Sequence, residues 1–308
     1  MTQRTVTLIA GPTASGKSAL ALRMAQEKNA IIINTDSMQI YDVLNILTAR
    51  PTKTDMAIAP HYLYGYVNPA LHYSVGQWLC DVNKIVTTFT SKSLIFVGGT
   101  GLYFRALLEG ISEIPHVPDV VRQKWRLRLN EEGAESLYRQ LLQVDTLLSE
   151  KISPQDGQRI IRALEVYEAT GKRLSWWQKK KTTPLIASDC SEKILLIPPR
   201  QLLYERINQR FHCMIEKGAL EEVSAMKKFM LSPLLPAMKA IGIRELMAYL
   251  DGYKSFDDAV EIAKTQTRRY AKRQMTWFRN QFDEKWTLIS SYKELQKIKR
   301  ELKKERAL

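Results

Sequence analysis

The sequence predicts an α/β protein: a parallel sheet coated by helices on both faces, carrying a helical insertion and a helical C-terminal region. Three observations predict it. Short apolar runs recur at Thr5–Ala10 (TVTLIA), Ala30–Asn34 (AIIIN), Ser93–Val97 (SLIFV) and Lys193–Ile197 (KILLI). Runs that are apolar on both faces belong to buried parallel strands, since a strand with one wet face would alternate. Between the third and fourth runs, from about Pro115 to Ser188, the periodicity turns helical, and it is helical again after the fourth. A chain of 308 residues is long enough for one sizeable core or two modest ones.

The first run leads straight into Gly11-Pro12-Thr13-Ala14-Ser15-Gly16-Lys17-Ser18, the full G-x4-G-K-[ST] pattern, and then into a helix over roughly Ser18–Lys28. Such a loop turns successive backbone N–H groups inward around phosphate oxygens, and the helix N-terminus adds positive dipole. Lys17 brings a mobile charge and Ser18 a hydroxyl for Mg²⁺. The core is therefore P-loop NTPase-like, and the loop is expected to hold a diphosphate.

The second run ends at Asp36-Ser37-Met38-Gln39, at the strand end where open parallel sheets place ligands. A carboxylate there can bind Mg²⁺ or take a proton from a nucleophile; read alone, it can equally cap a helix. The third run ends in Gly98-Gly99-Thr100-Gly101 and lacks the aspartate that an ATPase often carries there. The glycines admit a ligand close to the backbone, or simply make a tight turn.

Two helical patterns fill the insertion, which we place at 115–189 against a core of 1–114 and 190–308. They are VVRQKWRLRLNEEGAESLYRQLLQ and QRIIRALEVYEATGK, the latter with Gly171 as its C-cap. In the second, Ile160, Ile161 and Leu164 form the apolar face, so Arg159 and Arg162 share the other, a solvated surface or a contact surface. Trp176 and Trp177 suit stacking on bases or core packing. After the fourth run come helices at roughly Leu202–Lys217, Glu221–Phe229 and Ile243–Leu250. A long one follows from Ser255, which with Asp258 makes a capping box, to about Phe282.

Charge is the unusual bulk quantity. Lys and Arg number 46 against 32 Asp and Glu, a net of +14. Residues 264–306 hold 14 of the former and 5 of the latter. Within them Thr267–Asn280 (TRRYAKRQMTWFRN) interleaves basic residues with Tyr270, Trp277 and Phe278, a mixture suited to phosphate contacts and base stacking. Cys80, Cys190 and Cys213, and the four histidines, have no metal-ligand spacing. No apolar run approaches membrane-spanning length, and the N-terminus lacks a secretory h-region. A cytoplasmic monomer is the expectation, since no heptad pattern is present.

Taken together, GPTASGKS, DSMQIY, TARP (Thr48–Pro51), APHYLYGYVNP, YSVGQWL, VGGTGLYFRALLEG, QRIIRALEVYEATGK, ERINQRF and RRYAKRQMTWFRNQ resemble, in order and over nearly the whole chain, the tRNA isopentenyl transferases (IPP transferase family). The resemblance implies transfer of a dimethylallyl group from dimethylallyl diphosphate to N6 of adenosine 37 of tRNA, beside the anticodon, with pyrophosphate released. It implies that Asp36 is the general base, and that Lys17, Arg210 and Mg²⁺ at Ser18 stabilise the leaving group. Thr13 and Thr100 match positions at the diphosphate or the reacting region. It also implies tRNA contacts from Asp36, Ser37, Met38 and Gln39, from Thr100 and Arg122, and from Gln158, Arg159, Ile160, Ile161 and Arg162. A further set comes from Lys272, Arg273, Gln274, Trp277 and Arg279. The insertion would close on the anticodon stem-loop, with the target base flipped into the site. Leu47, where the family usually has glycine, and Ile243, where it usually has an aromatic, depart from the pattern. The alternatives are a relative acting on free adenine nucleotides, a kinase binding ATP at the P-loop, and a non-catalytic RNA-binding protein with a nucleotide switch. The basic–aromatic helix argues against the first.

Overall fold

In the structure, a computed structural model that describes residues 4–180 and 182–305, the four apolar runs become buried strands. Two short ones join them, giving β1 (Val6–Ala10), β2 (Ile31–Asn34), β3 (His61–Tyr62), β4 (Leu94–Gly98), β5 (Ser191–Leu196) and β6 (Thr287–Ile289). They form one parallel sheet in the order β3-β2-β4-β1-β5-β6. The α/β parallel-sheet expectation therefore holds. β3 and β6 are the edges, too short to show any periodicity in the sequence.

Strand order does the positioning. β4 lies between β2 and β1, with Val6 opposite Leu94 and Ile31 opposite the same Leu94. The loops after β1, β2 and β4 thus leave the sheet side by side. On one face Ile9, Ile32, Ile95 and Ile194 pack against Leu20 and Met24 of the helix Lys17–Lys28. On the helix Val75–Thr88, capped by Ser74 and Gln77, Trp78 donates its indole N–H to Asn34 O at 3.0 Å and stacks on Tyr103.

A second core forms where the helices Arg200–Glu216, Ala219–Lys227, Ile243–Leu250 and Phe256–Gln281 meet the segment 40–47, around Tyr41, Leu44, Phe211, Val223 and Leu246. The long helix starts at Ser255, whose Oγ accepts from Asp258 N–H and donates to the Asp258 carboxylate. The expected capping pair is thus closed side chain to side chain.

Compact packing divides the chain into Met1–Arg105 with Ile186–Leu308, and Ala106–Leu185. The latter unit contains the helices Asp119–Val144, broken at Gly133, and Gly157–Thr170, which ends at Gly171. Its core includes Trp125, Leu137, Leu141, Ile160, Ile161 and Leu164. Among the described residues, no helix is long and apolar enough to cross a membrane.

Candidate active site

The phosphate loop is built by backbone geometry. Ala14 (φ 61°) and Gly16 (φ 93°) are both left-handed, and Ser15 N–H donates to Pro12 O at 3.2 Å. Gly16 immediately precedes the first helical residue, Lys17; at that φ a side chain would be strained. The Lys17 ammonium donates to Pro12 O at 3.2 Å. Burial lowers its pKa to about 8, with Arg210 adding to the fall and Asp36 opposing it. A bound phosphate would add negative charge to that of Asp36 and favour the charged form of this lysine.

Asp36 is held by its neighbour but one. Asn34, fully buried, accepts Asp36 N–H on Oδ1 at 2.8 Å, and its amide donates to Asp36 O and Leu63 O, each at 2.9 Å. Asp36 Oδ1 in turn accepts Met38 N–H at 2.9 Å. The carboxylate caps a turn, and no helix begins there, so the helix-cap alternative falls away. Thr100 completes the tie: its Oγ1 accepts Ser37 N–H at 3.0 Å, and its own N–H donates to Thr35 O at 3.1 Å.

The glycines after β4 admit protein, not ligand. A Cβ on Gly99 would lie 2.2 Å from Gln274 Nε2, and one on Gly101 would lie 2.0 Å from the Trp277 ring. Both neighbours stand on the helix Phe256–Gln281, so the glycines are what let that helix approach the sheet. Gln274 spans two loops: Oε1 accepts Thr13 N–H at 2.9 Å and Nε2 donates to Gly99 O at 2.9 Å. Arg210, on the helix Arg200–Glu216, donates to Thr13 Oγ1. Burial lowers its pKa while Asp36 works to raise it.

Two cavities meet at these groups. Thr13, Asp36, Thr48 and Arg210 line both. One also takes in Gly16, Lys17, Ser18 and Arg206. The other, of about 300 Å³, has walls from Met38, Leu47, Phe211 and Met214, with Tyr270 and Arg273. An anion in the first and an apolar or aromatic group in the second would therefore face each other across Asp36. The exposed side of the long helix forms a groove of Arg269, Lys272, Arg273, Thr276, Trp277, Asn280 and Gln281.

Several residues expected at an RNA surface lie elsewhere. Gln274 is 5% exposed with both ends of its amide engaged, so it faces the phosphate loop and not solvent. Ile160 and Ile161 are buried in the core of their own unit, where their apolar side chains pack. Gln158 and Arg159 are exposed beside them, Arg159 paired to Asp156. Arg122 pairs with Asp119, and Arg162 with Glu165, whose own pKa is raised by burial against Arg162 and Arg122. Gln39 donates to Thr48 O and Ala49 O, bracing its own loop. Lys272, Arg273 and Arg279 are exposed, and Ser37, Met38 and Trp277 are half-buried. Sequence reasoning missed Asn34, the one polar residue in AIIIN; Tyr270, expected on the basic–aromatic helix as a stacking residue, has its hydroxyl held protonated by burial, with Asp36 adding to the rise.

A family profile described as IPP transferase matches residues 39–281, and one described as isopentenyl transferase matches residues 4–63. A tRNA dimethylallyltransferase of Bartonella quintana (strain Toulouse) is 81% identical over 295 residues, 96% of this chain and 100% of that protein. The full-length tRNA isopentenylpyrophosphate transferase of Bacillus halodurans superposes with a TM-score of 0.68 at 29% identity, covering 97% of this chain and 96% of that one. A eukaryotic dimethylallyltransferase acting on tRNA superposes with a TM-score of 0.75 at 27% identity, over 90% of this chain and 70% of that one. With the phosphate loop, the carboxylate at the end of β2 and the arginine on Thr13 all in place, the chain belongs to the IPP transferase family.

Proposed function

We propose that this chain is a tRNA dimethylallyltransferase, moving the dimethylallyl group of dimethylallyl diphosphate onto N6 of the adenosine at position 37 of tRNA. The observation that carries the reading is the meeting of two cavities at Thr13, Asp36 and Arg210. A diphosphate fits the side lined by Lys17 and Ser18, and an extruded base fits the side lined by Tyr270.

The chemistry follows from the residues. The allylic C1–O bond breaks with its electron pair going to the diphosphate oxygen. Lys17, the loop amides and Arg210 stabilise the charge that develops there. N6 bonds to C1 and must shed a proton, for which Asp36 is the base. Asn34 and Thr100 keep that carboxylate in one place by holding the backbone on either side of it. Mg²⁺ suits the exposed Ser18 hydroxyl in the diphosphate cavity; when bound it supplies further neutralisation of the leaving pyrophosphate. Asp36 is the acidic side chain in that cavity, so the other oxygens around a metal there would come from diphosphate and water.

The tRNA anticodon stem-loop is the partner that the basic groove on the helix Phe256–Gln281 fits; Arg122, Gln158, Arg159 and Arg162 are candidate contacts within the other unit, taken by themselves. A monomer working in the cytoplasm, where tRNA is found, completes the reading. The test incubates the protein with dimethylallyl diphosphate, Mg²⁺ and either unmodified tRNA or AMP, then weighs the nucleosides. Prenylated adenosine from tRNA alone supports the reading. Product from AMP alone, or ATP hydrolysis with no prenyl transfer, overturns it.

A further inference from the structure

Trp176 and Trp177 are neighbours in the sequence but are held in different ways. Trp177 donates its indole N–H to Thr170 Oγ1 at 3.2 Å and packs against the core of its unit. Trp176 meets the Trp177 ring edge-on and carries two cations: Lys172 Nζ and Lys180 Nζ each lie 4.0 Å from its ring centroid. An ammonium over an indole is attracted to the negative face of the ring. The two ammoniums also repel one another, and the ring by itself leaves that repulsion uncompensated. An anion that reaches both would relieve it.

The surroundings supply no such anion. Residues 171–180 contain Lys172, Arg173, Lys179 and Lys180 and no acidic residue. All four are exposed, and among the described residues none has a carboxylate partner. Elsewhere in the same unit Arg122, Lys124, Arg128, Arg159 and Arg162 each have an acidic neighbour at 2.5–3.7 Å. The segment is also anchored. Leu174 is buried, and Ser175 N–H donates at 2.9 Å to the carboxylate of Asp145, itself buried. Lys180 N–H donates to Trp177 O at 2.9 Å. The cations therefore stand on a fixed backbone, which lowers the ordering cost of binding.

We propose that Lys172, Arg173, Lys179 and Lys180 form a phosphate-binding surface for the tRNA backbone, with Trp176 positioning the ammoniums of Lys172 and Lys180. The inference rests on the reading of the chain as an enzyme acting on tRNA, and adds a surface to the contacts named above. The two ammoniums stand at most twice 4.0 Å apart, so neighbouring phosphates of one strand can engage both. Three of the four cations are lysines, compact point charges that contact phosphate without reading sequence. The surface should therefore add affinity common to all tRNAs and leave the choice of target base to the pocket at Asp36.

The test measures binding of unmodified tRNA by gel shift over a range of salt concentrations. It compares wild type, a variant carrying both Lys172→Ala and Lys180→Ala, and the single variants Trp176→Leu and Trp176→Phe, with thermal melts to show that each is folded. The double variant should bind at least about ten-fold more weakly at low salt and reduce the slope of log affinity against log salt by about 2. The loss should be the same for tRNAs of different anticodon-loop sequence. In prenyl transfer the change should appear in KM for tRNA rather than in kcat, with affinity for dimethylallyl diphosphate unmoved. Trp176→Leu should cost about two- to five-fold in tRNA affinity for each ammonium it releases, and Trp176→Phe, which keeps a ring, should restore most of that. Unchanged affinity and slope in the double variant overturn the proposal while leaving the tRNA reading in place. Equal affinity in wild type and Trp176→Leu removes Trp176 from its positioning role. If Trp176→Leu does not fold, the lysine pair alone decides. A wild type that binds no tRNA overturns the tRNA reading itself, and this inference with it.

Discussion

Gln274 is hydrogen-bonded to Thr13 across the site, its Oε1 accepting the Thr13 N–H at 2.9 Å while its Nε2 donates to Gly99 O at 2.9 Å. One buried amide thus links the basic helix to the phosphate loop and to the end of β4. Replacing it with leucine leaves the half-buried Thr13 N–H and the buried Gly99 C=O without this partner, the latter costing about 1–3 kcal/mol and the former less. Gln274→Leu should therefore lower unfolding stability by a few kcal/mol in urea titration and weaken dimethylallyl diphosphate binding. A variant with unchanged stability and unchanged affinity would refute the link.

Asp36 should be separable from RNA binding. Asp36→Ala removes the group assigned to take the N6 proton, and transfer should fall on the order of 10²–10⁴-fold, the usual contribution of a general base. Affinity for tRNA, measured by gel shift, should change little, because the basic groove is untouched. Full transfer activity in the variant would remove Asp36 from the role of base.

Lys17 gives the diphosphate site a pH dependence. Its pKa of about 8 lies below the ordinary lysine value because burial disfavours the charge. Below about pH 8 the ammonium is charged and binding is at its strongest; as pH rises through 8 the proton is lost and affinity falls, approaching ten-fold per pH unit. Calorimetric titration with dimethylallyl diphosphate from pH 7 to 9.5 measures it. The free protein should show the opposite trend. Between pH 8 and 10.5 the unfolded chain binds more protons at this site than the folded one, so this group makes stability rise with pH over that window. Lys17→Met should abolish both dependences.

Lys272 and Arg279 are exposed on the long helix, where phosphate contacts are electrostatic and salt-screened. Lys272→Ala should weaken tRNA binding and reduce the slope of log affinity against log salt by about 1, with little effect on dimethylallyl diphosphate affinity. An unchanged slope would take Lys272 off the RNA surface.

Local pattern made much of this molecule readable. Four continuous apolar runs bounded by glycine, proline and polar residues read as buried parallel strands, and G-x4-G-K-S between the first and a helix reads as a phosphate loop. Other features resist such reading. His61–Tyr62 and Thr287–Ile289 pair as edge strands because the sheet offers them a partner, not because their few residues carry a period. Gly99 and Gly101 look like a ligand turn in one dimension; in three they are spaces for Gln274 and Trp277, which lie some 175 residues further along. Asn34 is an unremarkable polar end to an apolar run until its amide is seen holding Asp36.

Local sequence is enough for the four long strands, the phosphate loop, the carboxylate after the second strand, the basic–aromatic helix and, through their order, the family resemblance. Those are signals carried by neighbours along the chain, where spacing and residue type are enough. Packing in three dimensions alone reveals that Gln274 faces inward, that Arg210 reaches Thr13, and that Glu222 clamps the loop bearing Leu47. Each joins segments far apart in sequence, and whether a polar side chain meets water or a distant backbone amide depends on packing that no local pattern encodes.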